Sequence, residues 1–519
     1  MPEPLIALSQ VSFEYGAVPG AGLHGVDLVV DPGELVVLCG RSGCGKSTIT
    51  RVVNGLAPQF YTGRLTGEVR VAGLDVARTP IAQVARSVGS VFQDPRTEFF
   101  TGDTISELAF GPENLAWEPA RIGRQIDQLT GRLNLTVLLD RNILTLSGGE
   151  QQRLACAVAT MIDPAVLVLD EPSSTLDGVA TAALADAMAA WKDQGKAILV
   201  AEHRLDYLAG LADRFVYLDG GVVAHDWHHD DFLALGDDVW QSLGLRSPRR
   251  HHLLSVPAAA TPEPPANPDQ TPSSPPPGQT GLVCAQVRLR RGGRPILTID
   301  QAELPLDTPL ALVGANGSGK SSLARWLAGC GPAAHGTVSL FGAPVTFRRR
   351  LDTCYLVAQN TNTQLFSETV LGEVRLGRNR VAPALPSAWD GADAAAAEDI
   401  LRLLDLDHLA GRHPRTLSGG EKQRLVIAVA MASGRRLVIL DEPTSGLDAT
   451  HMRQVAAAIA RLHHAGTAVI VVTHDLDLVE LTCGAAAVID QGRIQEAYRL
   501  DDAGVGKVRD RLALGAPTA

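Results

Sequence analysis

Two stretches of this 519-residue sequence combine glycine, lysine and a hydroxyl at a spacing suited to phosphate chemistry. The first holds Gly40, Ser42, Gly43, Cys44, Gly45, Lys46, Ser47 and Thr48; the second holds Gly314, Asn316, Gly317, Ser318, Gly319, Lys320, Ser321 and Ser322. Both fit G-x-x-x-x-G-K-[ST], in which a glycine-bearing loop converges backbone amides on phosphate oxygens and the following helix offers its positive end. Lysine then reaches the outer phosphates, and the hydroxyls of Ser47 and Ser321 are placed to bind Mg²⁺. Downstream, Asp170-Glu171 and Asp441-Glu442 each follow four apolar residues. Carboxylates at the carboxyl end of a buried strand sit where open α/β sheets bind ligands. The aspartate would hold the metal ion, and the glutamate would orient or deprotonate an attacking water.

The elements that must position these groups follow from apolar runs. Glu34 to Leu38 and Leu310 to Val313 read as strands feeding the glycine loops, and Val166 to Leu169 and Leu437 to Leu440 as buried strands ending in the acidic pairs. That pattern predicts a largely parallel sheet. Ile400, Leu403, Leu404 and Leu406 recur at near-helical spacing, which predicts a helical subdomain ahead of the Ser-Gly-Gly at Ser418.

The sequence is one unit written twice. Ser147 recurs at Ser418, Asp170 at Asp441 and His203 at His474, all at an offset of 271 (418−147, 441−170, 474−203), and Lys46 recurs at Lys320. A length of 519 residues suits two domains. These are 1–253 and 282–519, joined by a linker over 254–281 whose stretch Val256 to Thr280 carries nine prolines and few large apolar residues. In extended form it would span about 75 Å, enough to let the halves meet in cis.

Composition narrows the function. A net charge of −11 gives no footprint for nucleic acid, and no apolar run is long enough to cross a membrane. The amino terminus lacks a secretion pattern, so a cytoplasmic location is expected. Seven scattered cysteines without a C-x-x-C pair speak against a disulfide framework, a zinc site or an iron–sulfur cluster. His225, His228 and His229 with His251 and His252 invite a metal-sensing reading, but no ligand spacing closes a site, and surface histidines are the simpler account.

Leu146 to Arg153 (LSGGEQQR) and Leu417 to Arg424 (LSGGEKQR) resemble the signature of ATP-binding-cassette (ABC) ATPases. The resemblance covers both halves and implies an α/β fold: two P-loop NTPase ABC nucleotide-binding domains, each with a core sheet and a helical subdomain. It implies that Gln93 and Gln359 are Q-loop residues, Asp177 and Asp448 D-loop residues, and His203 and His474 the histidines facing the γ-phosphate. It implies MgATP held head to tail. One site would draw on Lys46, Ser47, Gln93, Asp170, Glu171 and His203 with Ser418, Gly419 and Gly420; the other on Lys320, Ser321, Gln359, Asp441, Glu442 and His474 with Ser147, Gly148 and Gly149. Gln93 and Gln359 join Ser47, Ser321, Asp170 and Asp441 as expected metal-site residues.

Val91 to Phe100 (VFQDPRTEFF), the following FGPEN from Phe110 to Asn114, and Ala201 to Arg204 (AEHR) resemble the ATPases of energy-coupling factor (ECF) transporters. That likeness implies a peripheral subunit on the cytoplasmic face of the cell membrane. Its partners would be a transmembrane scaffold subunit and a substrate-binding membrane subunit, for import of a vitamin, a vitamin precursor or a transition-metal ion. Gln364 to Phe366 keeps part of this pattern in the second half, where Arg375 to Asn379 (RLGRN) replaces FGPEN. Rival readings are a twin-cassette ATPase of translation or DNA repair and a fused sugar-importer ATPase. The acidic balance and proline-rich linker disfavour the former, and the retained Lys320, Ser321 and Glu442 disfavour the latter.

Three asymmetries carry further expectations. Glu98 and Gln364 occupy matching positions, which predicts docking grooves of unlike charge. Tyr15 is an adenine platform in the first half where the second has Arg291, which predicts weaker adenine selectivity there. Cys44, matched by Ser318, lies among helix-start amides beside Lys46, which predicts a reactive thiolate.

Overall fold

The computed structural model describes residues 3–16, 22–93, 95, 98–133, 135–248, 281–291, 294–331, 335–359, 361–378 and 394–513. The proline-rich segment 254–280 lies outside them, and Gly281 already belongs to a strand, Gly281–Arg291. The chain divides into two compact units, the second beginning after Arg250.

In the first unit a six-stranded sheet runs in the order Val222–His228, Arg214–Asp219, Leu35–Gly40, Ala197–Ala201, Val166–Asp170, Val88–Val91. All neighbours are parallel except the hairpin at the Val222–His228 edge. Leu35–Gly40, Val166–Asp170 and Ala197–Ala201 are buried at every position, as strands covered on both faces must be. Successive residues point to opposite faces. Val36, Leu38, Val168 and Leu199 meet one core with Ile6, Leu8, Phe13 and Val69, while Val37, Leu167, Leu169 and Val200 meet another with Leu154, Leu184 and Met188.

The first of these cores rests on a second sheet that the predicted parallel pattern lacks. It is four-stranded and antiparallel, in the order Gly22–Val30, Ile6–Tyr15, Gly63–Val71, Leu74–Asp75. Ile6, Leu8, Val11 and Phe13 are buried, and the alternation changes phase between Leu8 and Val11, where the strand pairing shifts register. That break hides the period-two signal from a reading of the sequence.

The helical subdomain contains Thr104–Asn114, Pro119–Arg132 and Gly148–Thr160. Pro119 sits in the first turn of its helix, where its missing N–H costs nothing, and Ile122, Ile126, Leu129 and Leu133 fall on one buried stripe.

The second unit repeats the plan. Its six-stranded sheet runs Cys354–Val357, Leu437–Asp441, Ala468–Val472, Leu310–Val313, Ala485–Asp490, Arg493–Arg499, again parallel up to an edge hairpin. Its helical subdomain holds Val370–Arg378, Ala394–Leu403 and Gly419–Ala432. Of the residues expected on one helix, Ile400 and Leu403 lie within Ala394–Leu403 and Leu404 directly follows it. Asp405 turns the chain at a φ of 55°, and Leu406 reaches the same core from beyond the turn. Among the described residues no helix is long and apolar enough to cross a membrane.

Candidate functional site

Each glycine loop leaves a strand and enters a helix at its lysine, Lys46–Val53 and Lys320–Leu327. Gly45 and Gly319 cap these helices at φ 111° and 106° without a side-chain bond, so the first-turn amides remain for an anion. Gly40 and Gly314 are required by space. A Cβ at Gly40 would lie 2.4 Å from the Leu218 carbonyl oxygen, and one at Gly314 would lie 2.1 Å from that of Ile489. The loops gather their own lysines: Lys46 Nζ donates to the carbonyls of Gly40 (3.0 Å) and Arg41 (3.2 Å), and Lys320 Nζ to those of Gly314 (2.7 Å) and Ala315 (2.9 Å).

The hydroxyl and the first carboxylate meet in both units. Ser47 Oγ donates to Asp170 Oδ1 at 3.1 Å, and Ser321 Oγ to Asp441 Oδ1 at 3.0 Å. Burial raises both carboxyls, Asp441 to about 6 with help from Glu442. Two hard oxygen donors side by side, one a carboxylate short of countercharge, fit Mg²⁺.

Glu171 and Glu442 follow their strands at φ 47° and 53°, a left-handed conformation that non-glycine residues seldom adopt. Their N–H groups donate to Ala201 and Val472 carbonyls, both at 2.8 Å, which pins each glutamate beside the neighbouring strand end where the histidine follows. Glu171 accepts from Gln93 Nε2 at 2.8 Å and lies 3.6 Å from His203 Nε2. Glu442 lies 3.0 Å from His474 Nδ1 and accepts from Thr473 Oγ1 at 3.3 Å. The environments diverge: burial and the carboxylates of Asp170 and Glu202 push Glu171 up to about 8. Burial also acts on Glu442, but His474 and Lys320 outweigh it and hold that carboxyl below its ordinary value. Gln359 is exposed and makes no such bond to Glu442 among the described residues.

Ser147 and Ser418 are the N-caps of Gly148–Thr160 and Gly419–Ala432, each in a reciprocal capping box with Glu150 or Glu421. Asp177 caps Gly178–Asp193 by accepting from the Ala180 N–H, and Asp448 directly precedes Ala449–His464. Tyr15 is braced on the phosphate-loop helix: its hydroxyl accepts from Arg51 Nη1 at 2.9 Å and lies 3.3 Å from Thr48 Oγ1, with Tyr61 edge-on to its ring. Arg291 ends its strand with a side chain outside the described residues. His225 stacks on Trp227 at 4.6 Å, and His229 Nδ1 lies 3.0 Å from the Ala212 carbonyl oxygen; His251 and His252 lie outside the described residues.

One expectation is corrected. Cys44 is 5 % exposed, and burial raises its thiol despite nearby Lys46, so the thiolate is disfavoured. Spacing placed it in the loop, but its side chain turns inward to Leu38, Ile49 and Leu218. The Glu98 carboxylate, matched by neutral Gln364, accepts through its Oε1 from the Phe92 N–H at 2.7 Å. Gln364 Oε1 does the same for the Ala358 N–H at 2.9 Å. Both are loop braces.

Three further carboxylates support the site from outside the motifs. Glu107 accepts from the Phe100 and Thr101 amides, as Glu373 does from those of Phe366 and Ser367, and Glu202 is buried beside His203. The matched positions of Glu107 and Glu373 within apolar helices were the available signal. The loops they brace expose Phe100, stacked on Phe110 at 5.1 Å, and Phe366, beside a cleft of about 550 Å³ lined by Arg375 and Leu376.

Comparison with known proteins accords with this geometry. The family model described as ABC transporter matches residues 23–174 and 300–445. An ABC transporter ATP-binding protein of Treponema denticola is 36% identical over 94% of this chain and 96% of its own length. YkoD of Bacillus subtilis, named for HMP/thiamine import, is 30% identical over 94% of this chain and 90% of its own. A solved structure of the archaeal ribosome recycling factor aABCE1 aligns with a TM-score of 0.59 at 22% identity, covering 96% of this chain and 91% of that one, a likeness of fold alone. Two matched cassettes and near full-length relatives show that the chain belongs to the ABC transporter family, as a tandem ATP-binding ATPase.

Proposed function

We propose that the chain energises an ECF-type importer of a vitamin, a vitamin precursor or a transition-metal ion, from the cytoplasmic face of the membrane. The observation that carries the chemistry is the repeated cluster of lysine, serine–aspartate pair, glutamate and histidine at the strand ends of each unit. Lys46 and Lys320 bind the outer phosphates of ATP. Mg²⁺, held by Ser47 and Asp170 or by Ser321 and Asp441, would neutralise charge on the phosphate oxygens. Glu171, oriented by Gln93, and Glu442 position a water whose oxygen attacks the γ-phosphorus. The bond to the β,γ-bridging oxygen breaks, ADP leaves, and the water's proton passes through the carboxylate to the released phosphate. His203 and His474 steady the transferring group. Ser147 and Ser418, with the amides that follow them, would complete the opposite site when the two domains close head to tail on ATP.

The ECF assignment draws support from the motif resemblance, the YkoD likeness, and the exposed aromatic loops after Gln93 and Gln359. Phe100 and Phe366 offer apolar surface suited to a helix of a transmembrane scaffold subunit. Mild-detergent purification of the tagged chain from its native membranes tests this. Small hydrophobic membrane proteins should accompany it, one of them needed for solute uptake; recovery with ribosomes instead refutes the assignment.

A further inference from the structure

The histidine loops of the two units are tied down by carboxylates on opposite sides of the histidine. In the first unit the side chain of Glu202 is almost wholly buried at 2 % exposure and accepts five hydrogen bonds. Its Oε1 takes the backbone N–H of His203 (2.8 Å) and of Arg204 (3.2 Å). Its Oε2 takes Ser173 Oγ (2.8 Å), the Ser173 N–H (3.3 Å) and the Tyr207 hydroxyl (3.0 Å). In the second unit the position matching Glu202 is Thr473, and the carboxylate comes from Asp475, which matches Arg204. Asp475 Oδ2 accepts from Thr444 Oγ1 at 2.7 Å, and its N–H donates to Thr473 Oγ1 at 3.0 Å. Thr444 is the counterpart of Ser173. Each unit therefore ties the turn two residues beyond its acidic pair to the histidine loop, by a different residue.

We propose that Glu202 is a positioning residue for ATP hydrolysis at the first site, fixing His203 against Glu171 from the residue before the histidine as Asp475 does for His474 from the residue after it. The geometry makes the tie specific. Glu171 is held to Ala201 by its own amide, so the chain leaves the site in two directions, through Ser173 and through His203. One carboxylate grips both. A buried acceptor that satisfies five donors cannot be removed without each seeking a new partner, and the 3.6 Å separation of His203 Nε2 from Glu171 Oε1 depends on where both segments settle. Displacement by about 1 Å at such a site costs up to about a hundredfold in rate.

The inference rests on the proposed roles of Glu171 and His203. Its test is steady-state phosphate release from the full chain over a range of MgATP concentrations. Glu202→Thr should lower kcat about tenfold while leaving KM for MgATP within about twofold, because the lysine and phosphate loop are untouched. Adding Arg204→Asp transplants the second unit's arrangement and should restore kcat to within about threefold of the parent. Both variants are also measured with Glu442→Gln. If turnover remains in that background it reports the first site alone; if none remains, the sites act together and the whole-chain kcat is the readout.

An unchanged kcat in Glu202→Thr overturns the proposal. So does a double variant no better than the single one at equal melting temperature, because a merely structural carboxylate would not be rescued from the other side of the histidine. Should Glu202→Thr fail to fold, Glu202→Gln, which keeps the shape, is read by the same criteria: a fall in kcat at constant KM supports the proposal and no fall overturns it. Glu171→Gln separates the levels. Full turnover in that variant defeats the site reading itself, whereas its loss beside an unimpaired Glu202→Thr defeats only this inference.

Discussion

Replacing Glu107 by alanine should loosen the loop that carries Phe100 while leaving the phosphate loop as it is. Glu107 is 1 % exposed, and its Oε2 accepts from the Phe100 N–H (3.0 Å), the Thr101 N–H (2.8 Å) and Thr101 Oγ1 (2.8 Å). Alanine leaves the two amides without an acceptor, each worth about 1–3 kcal/mol when sealed from water, while Thr101 Oγ1 keeps the Asp103 carbonyl oxygen at 3.1 Å. The loop is only partly buried and water can reach it, so a total of about 2 kcal/mol is expected. That corresponds to a roughly 30-fold rise in the population of the open loop. Hydrogen exchange read by mass spectrometry should therefore show the amides of Phe100 and Thr101 exchanging about 30 times faster, with the helix Lys46–Val53 unchanged. Glu107→Gln keeps an acceptor oxygen, and its effect should be only a few-fold. Wild-type exchange at Phe100 and Thr101 in the alanine variant would refute the brace, and with it the idea that the aromatic surface is held in place from below.

Other consequences follow from single environments. Cys330 is exposed and Cys44 is buried with its thiol raised, so iodoacetamide should modify Cys330 at least about tenfold faster at neutral pH, and peptide mass mapping reads the ratio. Glu98→Gln should leave ATPase activity and recovery of membrane partners within about twofold, because Gln364 already performs the same bracing with an amide oxygen. Gly314→Ala should cost the second unit about 2 kcal/mol or more, through contact with the Ile489 carbonyl and its φ of 152°. Its melting temperature should fall by about 4–8 °C, whereas Gly419→Ala, with open space around it, should shift it by no more than about 1 °C.

What the sequence made legible is what chemistry constrains to a fixed spacing. A lysine must reach phosphate from the turn that cradles it, and an acid pair must end a buried strand. Lys46, Ser47, Asp170 and Glu171 are thus legible from spacing alone, and Ser47 does meet Asp170. Side-chain direction was not legible. Cys44 stands one residue from Gly45 at a helix start, yet its burial depends on how Leu38, Ile49 and the distant Leu218 come together in one core. Glu98 and Gln364 differ in charge, yet each turns an oxygen to a backbone amide, a bracing role that residue type alone does not reveal. Glu202 and Asp475 stayed hidden for a related reason: a repeat comparison aligns positions, and here the carboxylate moves to the other side of the histidine. The antiparallel sheet was missed because a register shift interrupts the alternation along Ile6–Tyr15.

The central claim is that Glu171 and Glu442 do the hydrolytic work beside nucleotide-binding loops that function without them. The most direct test is phosphate release by the purified chain carrying Glu171→Gln and Glu442→Gln together, with MgATP binding measured on the same sample. The account predicts wild-type affinity with turnover reduced at least about a hundredfold. Turnover at the wild-type rate in that double variant would contradict it.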